Sequence, residues 1–566
     1  MKKFLSFRNV ILIAIGLSGM AALIYEVVWT RMLSLIFGST VYAVATMLCA
    51  FMAGLALGSY LMARKVDKIK NLAMYFGLLQ LGIGIYGILF LFSLGYLQYP
   101  YFWLYQAFHN YFWLFIFAQF LLYFLVLLIP TTMFGAIFPL ATKIFTKGMD
   151  EVGKDVGYIY SANSLGSVLG PFLAGFILIP LIGVSKTAVV AAAVNILLGL
   201  IILGYSKLKK DVKFFLPLLL IFLVIGWQVI LPPVLLNLYF VGTYRDLSHA
   251  KEELSYVKPI FYKEGPYSTI VVTQIEAGYI GLKSDGRGEA SSFPDDMRSQ
   301  TLLGYIPMLL HPNPEKVLNI GVGAGITLGA MGEFDAKEMD GIEVEPVILE
   351  AAKQFFSKFN NNILDDPRVT MLRTDGRNQL LMSKEKYDVI VSAASHPINP
   401  GSSHLYTKEF FELTKSRLNE NGIFLHFIPG HRFSIEEHKI VAKTFFSIFP
   451  HTSLWIDNID ALASPKQINV ETYLIGSLKS LEIDKERMKN VINSHEKIKE
   501  NLGRIGINSM DDFLSLMIMD ERGLSNFLAD EKRINTDDRP ISEFIVLKSL
   551  LKMKFVTLSD IIQIKQ

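Results

Sequence analysis

Apolar residues come first in unbroken blocks along this chain and later in short alternations. Between Val10 and Phe240 the blocks reach the roughly 20 residues that a bilayer core demands. They predict seven spanning helices, at about 10–29, 40–63, 72–97, 111–142, 158–182, 187–205 and 214–240. The fourth contains "IPTTMFGAIFP", which predicts a kink at Pro130 or Pro139. Pro232–Pro233 predicts an early end to the seventh. From about Tyr244 the pattern changes. Short buried-strand runs alternate with helix-period segments, which predicts a doubly wound, mostly parallel sheet.

Composition sharpens this division. At 52% hydrophobic and a mean hydropathy of +0.38, the 566 residues are too apolar for one soluble domain. The remainder, about 320 residues, is long enough for a core of its own. A net charge of +3 implies no acidic partner, and no basic run interleaved with aromatics suggests a nucleic-acid face. The single cysteine, Cys49, lies in an apolar run, which excludes a disulfide and a cysteine metal site. No His/Asp/Glu spacing suggests a metal either. Lys2, Lys3 and Arg8 before an apolar run resemble a signal peptide, but the run continues to Glu26 without a clear small-residue cleavage site. A retained first helix is expected.

Lys and Arg crowd the N-terminus and the loops near 64–70, 143–154 and 207–213. That asymmetry predicts a multi-pass protein of the cell membrane with a cytoplasmic N-terminus. Seven crossings place the C-terminal part outside, whereas a nucleoside cofactor is made inside; the sequence leaves the side open. Small residues in "AGLALGS" (53–59) and "SLGSVLGPFLAG" (164–175) predict close helix packing. Glu26 and Arg31, in "YEVVWTR", form a candidate membrane polar site. Glu26 either pairs with Arg31 or a group such as Asn163, or serves a substrate or ion site in the bundle.

The second half carries the chemistry. "PEKVLNIGVGAGITLGAMGEF" (314–334) reads as strand, glycine loop and helix. Gly321, Gly323 and Gly325 let backbone approach a ligand closely. Glu343 follows about 20 residues later, where an acidic residue accepts ribose hydroxyls. Asp375 ends the next strand, and "YDVIV" is followed by "SAASHPINPGSSHLYT" (392–407), a loop without Asp or Glu. Glycine loop, acidic tip, Asp and polar loop together describe a nucleoside pocket at the strand ends.

These residues carry a family likeness. With "GLSGMAALIYEVVWTRML", "GLALGSYLMAR" and "YSANSLGSVLGPFLAG" in the first half, the chain resembles the spermidine synthase (polyamine aminopropyltransferase) family in its membrane-fused branch. "DMRSQTLLGYIPMLLHPNPEKVLNIGVGAGITLGA", "DGRNQLL" and "NTDDRPISEF" carry the likeness in the second half. It covers nearly the whole chain. It implies a multi-pass helical membrane bundle, then an α/β Rossmann-like domain of the S-adenosylmethionine methyltransferase type, preceded by a small β domain. The expected divisions are 1–243, 244–300 and 301–566, with the alternating segments at 267–291 in the β domain.

The resemblance also implies roles. Gly321, Gly323 and Gly325 line the methionine-derived part of the nucleoside. Glu343 holds the ribose, and Asp375, with Gly376 beside it, accepts from the adenine amino group. Glu289 stands where the family commonly has a Gln touching the cofactor tail. The departures lie on the acceptor side. Ser299, Gln300 and Thr301 replace a Tyr-His-Glu run that helps hold amine and cofactor, and Gln300 is kept as a cofactor-contact candidate. The loop's two acidic positions are Ala393 and His396, ahead of Pro397. An amine must lose its proton to attack, so His396, His404 and Tyr406 are the catalytic candidates. Asp295, Asp296 and Glu289 are candidates for the missing negative charge. Asp537, Asp538 and Arg539 read either as a turn with an internal Asp–Arg pair or as a lid or a contact with the membrane half.

Three readings follow. The first is a membrane-anchored aminopropyltransferase using decarboxylated S-adenosylmethionine and a small-molecule amine. The second is a methyltransferase using S-adenosylmethionine, or another transferase, on a membrane-linked acceptor. The third is a non-catalytic transporter or sensor that binds nucleoside or polyamine. Expected partners are the acceptor and the lipid bilayer, without metal or nucleic acid; a homodimer is left open.

Overall fold

Six helices between Phe7 and Gly204 are long and apolar enough to cross a membrane. The computed structural model describes residues 6–37, 41–146, 148–206, 257–393, 397, 402–430, 433–462, 470–545 and 556–562. The predicted seventh span, 214–240, lies outside the described residues. The chain divides into two compact units, residues 1–256 with 262–269, and residues 257–261 with 270–566.

In the first unit the helices are α1 (Phe7–Phe37), α2 (Val41–Ala63), α3 (Leu72–Phe108), α4 (Phe112–Phe145) and α5 (Val152–Phe172). A π-helical stretch, Leu173–Leu178, joins α5 to the short α6 (Ile179–Ile182), and α7 (Val184–Gly204) follows. Several run longer than their apolar blocks; α4 is continuous through Pro130 and Pro139. Neighbouring helices tolerate an interior proline by satisfying the freed backbone groups.

The glycine clusters are the seams of this unit. α2 packs against α4, α1 against α5 and α3 against α7. A Cβ on Gly58 would overlap the Thr132 carbonyl, and one on Gly135 the Leu55 carbonyl. A Cβ on Gly166 would overlap the carbonyl of Gly16. Small residues at these contacts let the helix backbones approach closely and pack by van der Waals contact. Ser59 Oγ adds a hydrogen bond to the Gly135 carbonyl at 2.9 Å. Arg8 of α1 pairs with the buried Asp155 of α5.

The second unit begins with a four-stranded sheet, β1 (Val257–Glu264), β2 (Thr269–Ile275), β3 (Ile280–Ser284) and β4 (Arg287–Ser291), ordered as in sequence. Asp285 and Gly286 join β3 to β4 with φ of 47° and 76°. Two positive φ values are what a tight antiparallel hairpin needs. Then come α8 (Pro294–Leu310), β5 (Lys316–Ile320), α9 (Ile326–Met331), β6 (Glu338–Ile342), α10 (Pro346–Phe355) and β7 (Val369–Leu372). The chain continues through α11 (Gly376–Met382), β8 (Tyr387–Ser392), α12 (Lys408–Ser416), β9 (Leu418–Ile428) and α13 (Ile435–Phe446). β10 (His451–Ile456), β11 (Thr472–Ser477) and β12 (Met517–Met519) complete one eight-stranded sheet in the order β12-β10-β11-β9-β8-β5-β6-β7.

β5, β6, β7, β8 and β9 are parallel to their neighbours, and β11 runs antiparallel between β9 and β10. Central strands buried on both faces explain why "KVLNI" and "YDVIV" read as apolar runs rather than alternations. The ends of β5, β6, β8, β9 and β10 and the start of β11 therefore share one edge. The small sheet packs Ile270, Val272 and Leu282 against Ala324, Ile326, Val347 and Ile348 of the glycine loop, α9 and α10.

The seams make a testable point. Gly58→Ala and Gly166→Ala are each expected to destabilise the detergent-solubilised protein by about 1–3 kcal/mol, the usual range for overpacking. Gly157→Ala, with nothing described within 4 Å of its added Cβ, is expected to leave the thermal melting midpoint unchanged or raised. Equal effects at all three positions would refute close packing as the role of these glycines.

Candidate active site

The loop after β5 turns on three glycines, with φ of 80° at Gly321, 55° at Gly323 and 80° at Gly325. A side chain at these angles is strained. Among the described residues, nothing stands within 4 Å of a Cβ placed on Gly323. Backbone there is bare toward the cleft, as close approach of a nucleoside requires.

Glu343, one residue past β6, closes the other side of this loop. It is 7% exposed. Its carboxylate accepts from the Gly323 N–H at 3.1 Å and the Glu345 N–H at 3.1 Å. Burial pushes the carboxyl up to about 7; the two backbone donors oppose that rise, and the charge of Glu289 adds to it. A buried carboxylate with acceptor capacity left suits a pair of hydroxyl donors. Glu289, half-buried on β4, thus lies on the same side of the cleft. Gln300 on α8 is also half-buried, and its Nε2 donates to the Asp296 carbonyl at 3.3 Å.

Asp375 caps α11, its Oδ1 accepting from the Asn378 N–H at 2.8 Å. The strand before it ends at Leu372, so Asp375 belongs to the loop at the sheet edge rather than to β7 itself. Oδ2 lies 3.4 Å from His404 Nε2. That contact holds the Asp375 carboxyl below the usual range, against the opposing effect of burial. Gly376 is buried, and a Cβ there would press on Ile320 Cγ2 of β5 at 2.5 Å. A side chain would push α11 off the sheet.

The catalytic candidates separate. His404 is part-exposed beside Asp375. His396 lies outside the described residues. Tyr406 is fully buried, its ring 4.8 Å from His426 and 6.0 Å from that of Phe433. It belongs to the core beneath the loop and is not presented to the cleft. Ala393 carries the ladder onward, its N–H donating to the Ile320 carbonyl at 2.9 Å.

Two further sequence expectations are corrected. Glu26 does not pair with Arg31; within the first unit, Arg31 donates to the carbonyls of Gly265 at 2.7 Å and Pro266 at 3.0 Å. Five residues apart, the two side chains point about 140° away from each other around α1. In "NTDDRPISEF", Asp537 pairs with Arg377, Nη1 to Oδ1 at 2.7 Å, rather than with Arg539.

The β10–β11 end of the same sheet edge holds carboxylates that sequence reasoning passed over. Asp457, just past β10, is 5% exposed. It faces Glu471, just before β11: the Glu471 N–H donates to Asp457 Oδ1 at 3.0 Å, and the Asp457 N–H to the Glu471 carbonyl at 3.2 Å. Glu471 Oε2 accepts from the Gly430 N–H at 2.8 Å. Burial, and next the Glu471 charge, push the Asp457 carboxyl up to about 8, with Arg298 opposing. Tyr473 donates to the Ser299 carbonyl at 3.0 Å, which ties β11 to the position where the resemblance implies an amine-holding run. The available signal was an Asp closing the apolar run "SLWID" on a strand of this sheet.

Comparisons with known proteins find relatives of one family. Residues 297–452 match the spermine/spermidine synthase domain. Polyamine aminopropyltransferase 2 of Aquifex aeolicus is 27% identical over 296 residues, 52% of this chain and 57% of that protein. The chain thus spans little more than half of that relative's length. The polyamine aminopropyltransferase of Bacillus mycoides is 30% identical over 200 residues, 35% of this chain and 70% of that protein. The solved spermidine synthase of Thermotoga maritima aligns with 23% identity and a TM-score of 0.37, over 44% of this chain and 88% of that one. A glycine loop, buried Glu343 and capping Asp375 on one sheet edge, inside that matched domain, make this chain a member of the spermine/spermidine synthase family.

Proposed function

We propose that the second unit is an aminopropyltransferase, using decarboxylated S-adenosylmethionine and a small amine, and that the apolar helices hold it at a lipid bilayer. One observation carries the reading. The nucleoside cradle of Gly323, Glu343 and Asp375 shares a sheet edge with the carboxylates Asp457 and Glu471. Donor and acceptor sides are then both furnished, although the loop after β8 has Ala393 in place of an acid.

The chemistry matches. The amine nitrogen attacks the aminopropyl carbon next to the sulfonium, the carbon–sulfur bond breaks, and neutral methylthioadenosine leaves. A carboxylate close by attracts the ammonium and takes its proton. Asp457, poised near neutral pH, suits the second task, and Glu471 the first. The methyl-transfer alternative lacks a comparable observation, because methyl transfer has no need of an acidic pair on the acceptor side.

The deciding experiment incubates the detergent-purified chain with decarboxylated S-adenosylmethionine and 1,4-diaminobutane and follows methylthioadenosine. Release is expected, and Asp375→Ala is expected to remove nucleoside binding. Asp457→Asn is expected to lower transfer about 100-fold while sparing methylthioadenosine affinity. Turnover of intact S-adenosylmethionine alone would move the assignment to methyl transfer. Absence of binding by either nucleoside would rule out both enzyme readings.

Asp457 also makes a stability prediction. Its folded pKa is raised from 3.8 to about 8, so the folded state holds a proton that the unfolded chain gives up. Its stabilising contribution is complete below about pH 4 and is lost as pH rises through about 8. Asp457→Asn is therefore expected to stabilise the protein by about 1–3 kcal/mol at pH 8–9 relative to pH 5. Thermal melts across that range check the sign.

A further inference from the structure

The Asp375 carboxylate does not rest on its helix cap alone. His404 Nε2 approaches Oδ2 from the short turn Ser403–Tyr406, and that turn is itself clasped. Arg377, in the first turn of α11, donates to the His404 carbonyl at 3.4 Å and pairs with Asp537. The Asp537 N–H donates to Glu409 Oε2 at 2.9 Å, at the start of α12. Two residues earlier, the fully buried Asn535 donates its Nδ2 to the Tyr406 carbonyl at 2.9 Å. Its own carbonyl accepts from the Lys408 N–H at 2.8 Å. Residues 535–537 thus form a strap across the stem of the loop after β8. The His404 and Asp375 side chains remain 31% and 30% exposed, so the pair stays within reach of a ligand.

We propose that His404 positions Asp375 to read the exocyclic amino group of a purine nucleoside, with Arg377 and Asp537 holding His404 in place. This rests on the nucleoside reading above. An amino group on the base is a donor, and it needs an ionised acceptor aimed along one direction. Asp375 Oδ1 accepts from the Asn378 N–H and Oδ2 faces His404, so each oxygen keeps a lone pair for the base. A terminal carboxylate torsion is broad and two-fold, so a cap on one oxygen fixes the plane poorly. A second contact, on Oδ2 from the side, fixes it while leaving a lone pair for the base. The charged groups around the pair are His404 and Arg377 on one side and Asp537 and Glu409 on the other. His404 also keeps the carboxyl below its ordinary range. Removing His404 raises it, so nucleoside binding then fails at a higher pH on acidification.

The test is calorimetric titration of the full chain in detergent with methylthioadenosine, which lacks the aminopropyl arm, between pH 5 and 8. His404→Ala is expected to weaken binding about 5- to 10-fold at pH 7 and to move the acid limb to higher pH. His404→Gln, which keeps a neutral N–H donor at similar reach, is expected to restore affinity to within about 2-fold at pH 7. Asp537→Asn is expected to shift affinity in the same direction as His404→Ala, by less. Wild-type affinity and an unmoved acid limb in His404→Ala would overturn the inference. So would a His404→Gln variant as weak as His404→Ala, since the ring would then only fill space. Failure of the wild-type chain to bind methylthioadenosine would remove the nucleoside site itself, a separate result from a wild-type-like His404→Ala.

Discussion

Burying the Glu343 carboxyl carries a desolvation penalty that the Gly323 and Glu345 N–H groups offset only in part, which is why burial pushes it up to about 7. The arrangement persists because the same hydrogen bonds tie the glycine loop after β5 to the tip of β6. The Gly321 and Val322 N–H groups on the Ile342 carbonyl, and Asn360 Nδ2 on the Ala324 carbonyl, hold the rest of a loop with three positive φ angles. The small β sheet adds weight from outside, packing Ile270 and Val272 onto α9 and α10. The glycine loop and the tip of β6 therefore form a frame around one buried carboxyl.

The β10–β11 end of the same sheet edge is built on a different principle. No acid stands on the loop after β8, whose first position, Ala393, extends the β8–β5 ladder. Two carboxyl groups stand instead at strand ends, and burial keeps a proton on Asp457 up to about pH 8. Asp457 and Glu471 face each other across the β10–β11 register, where Ile456 and Thr472 are partners. Because β11 runs antiparallel between two strands of the other direction, its first residue and the last residue of β10 meet at the edge that carries the cleft.

The first unit packs long, mostly apolar helices against one another. Its helices meet where glycines remove side chains, at Gly58 and Gly135 between α2 and α4 and at Gly16 and Gly166 between α1 and α5. Among the described residues, interhelical polar contacts include Ser59 on the Gly135 carbonyl, Tyr86 on the Val126 carbonyl and Arg8 on Asp155. Such seams explain how long helices with mostly apolar surfaces choose particular neighbours.

The sequence by itself determined the apolar helices, the mostly parallel sheet and the glycine loop with Glu343 beside it. Apolar blocks of bilayer length, strand–loop–helix alternation and a glycine loop with Glu343 about 20 residues on are local patterns, and local patterns are legible in one dimension. The glycine clusters at 53–59 and 164–175 were legible as packing seams for the same reason. Only the tertiary structure decided which helices those seams join. It also decided that Asp457 meets Glu471, that Tyr406 sinks into the core, and that Arg31 turns away from Glu26. Asp537 and Arg377, 160 residues apart, pair because α11 and the C-terminal strap converge on one edge of the sheet. A contact set by strand order and register leaves no periodic trace in the chain, since the pairing partner depends on how the whole sheet is assembled.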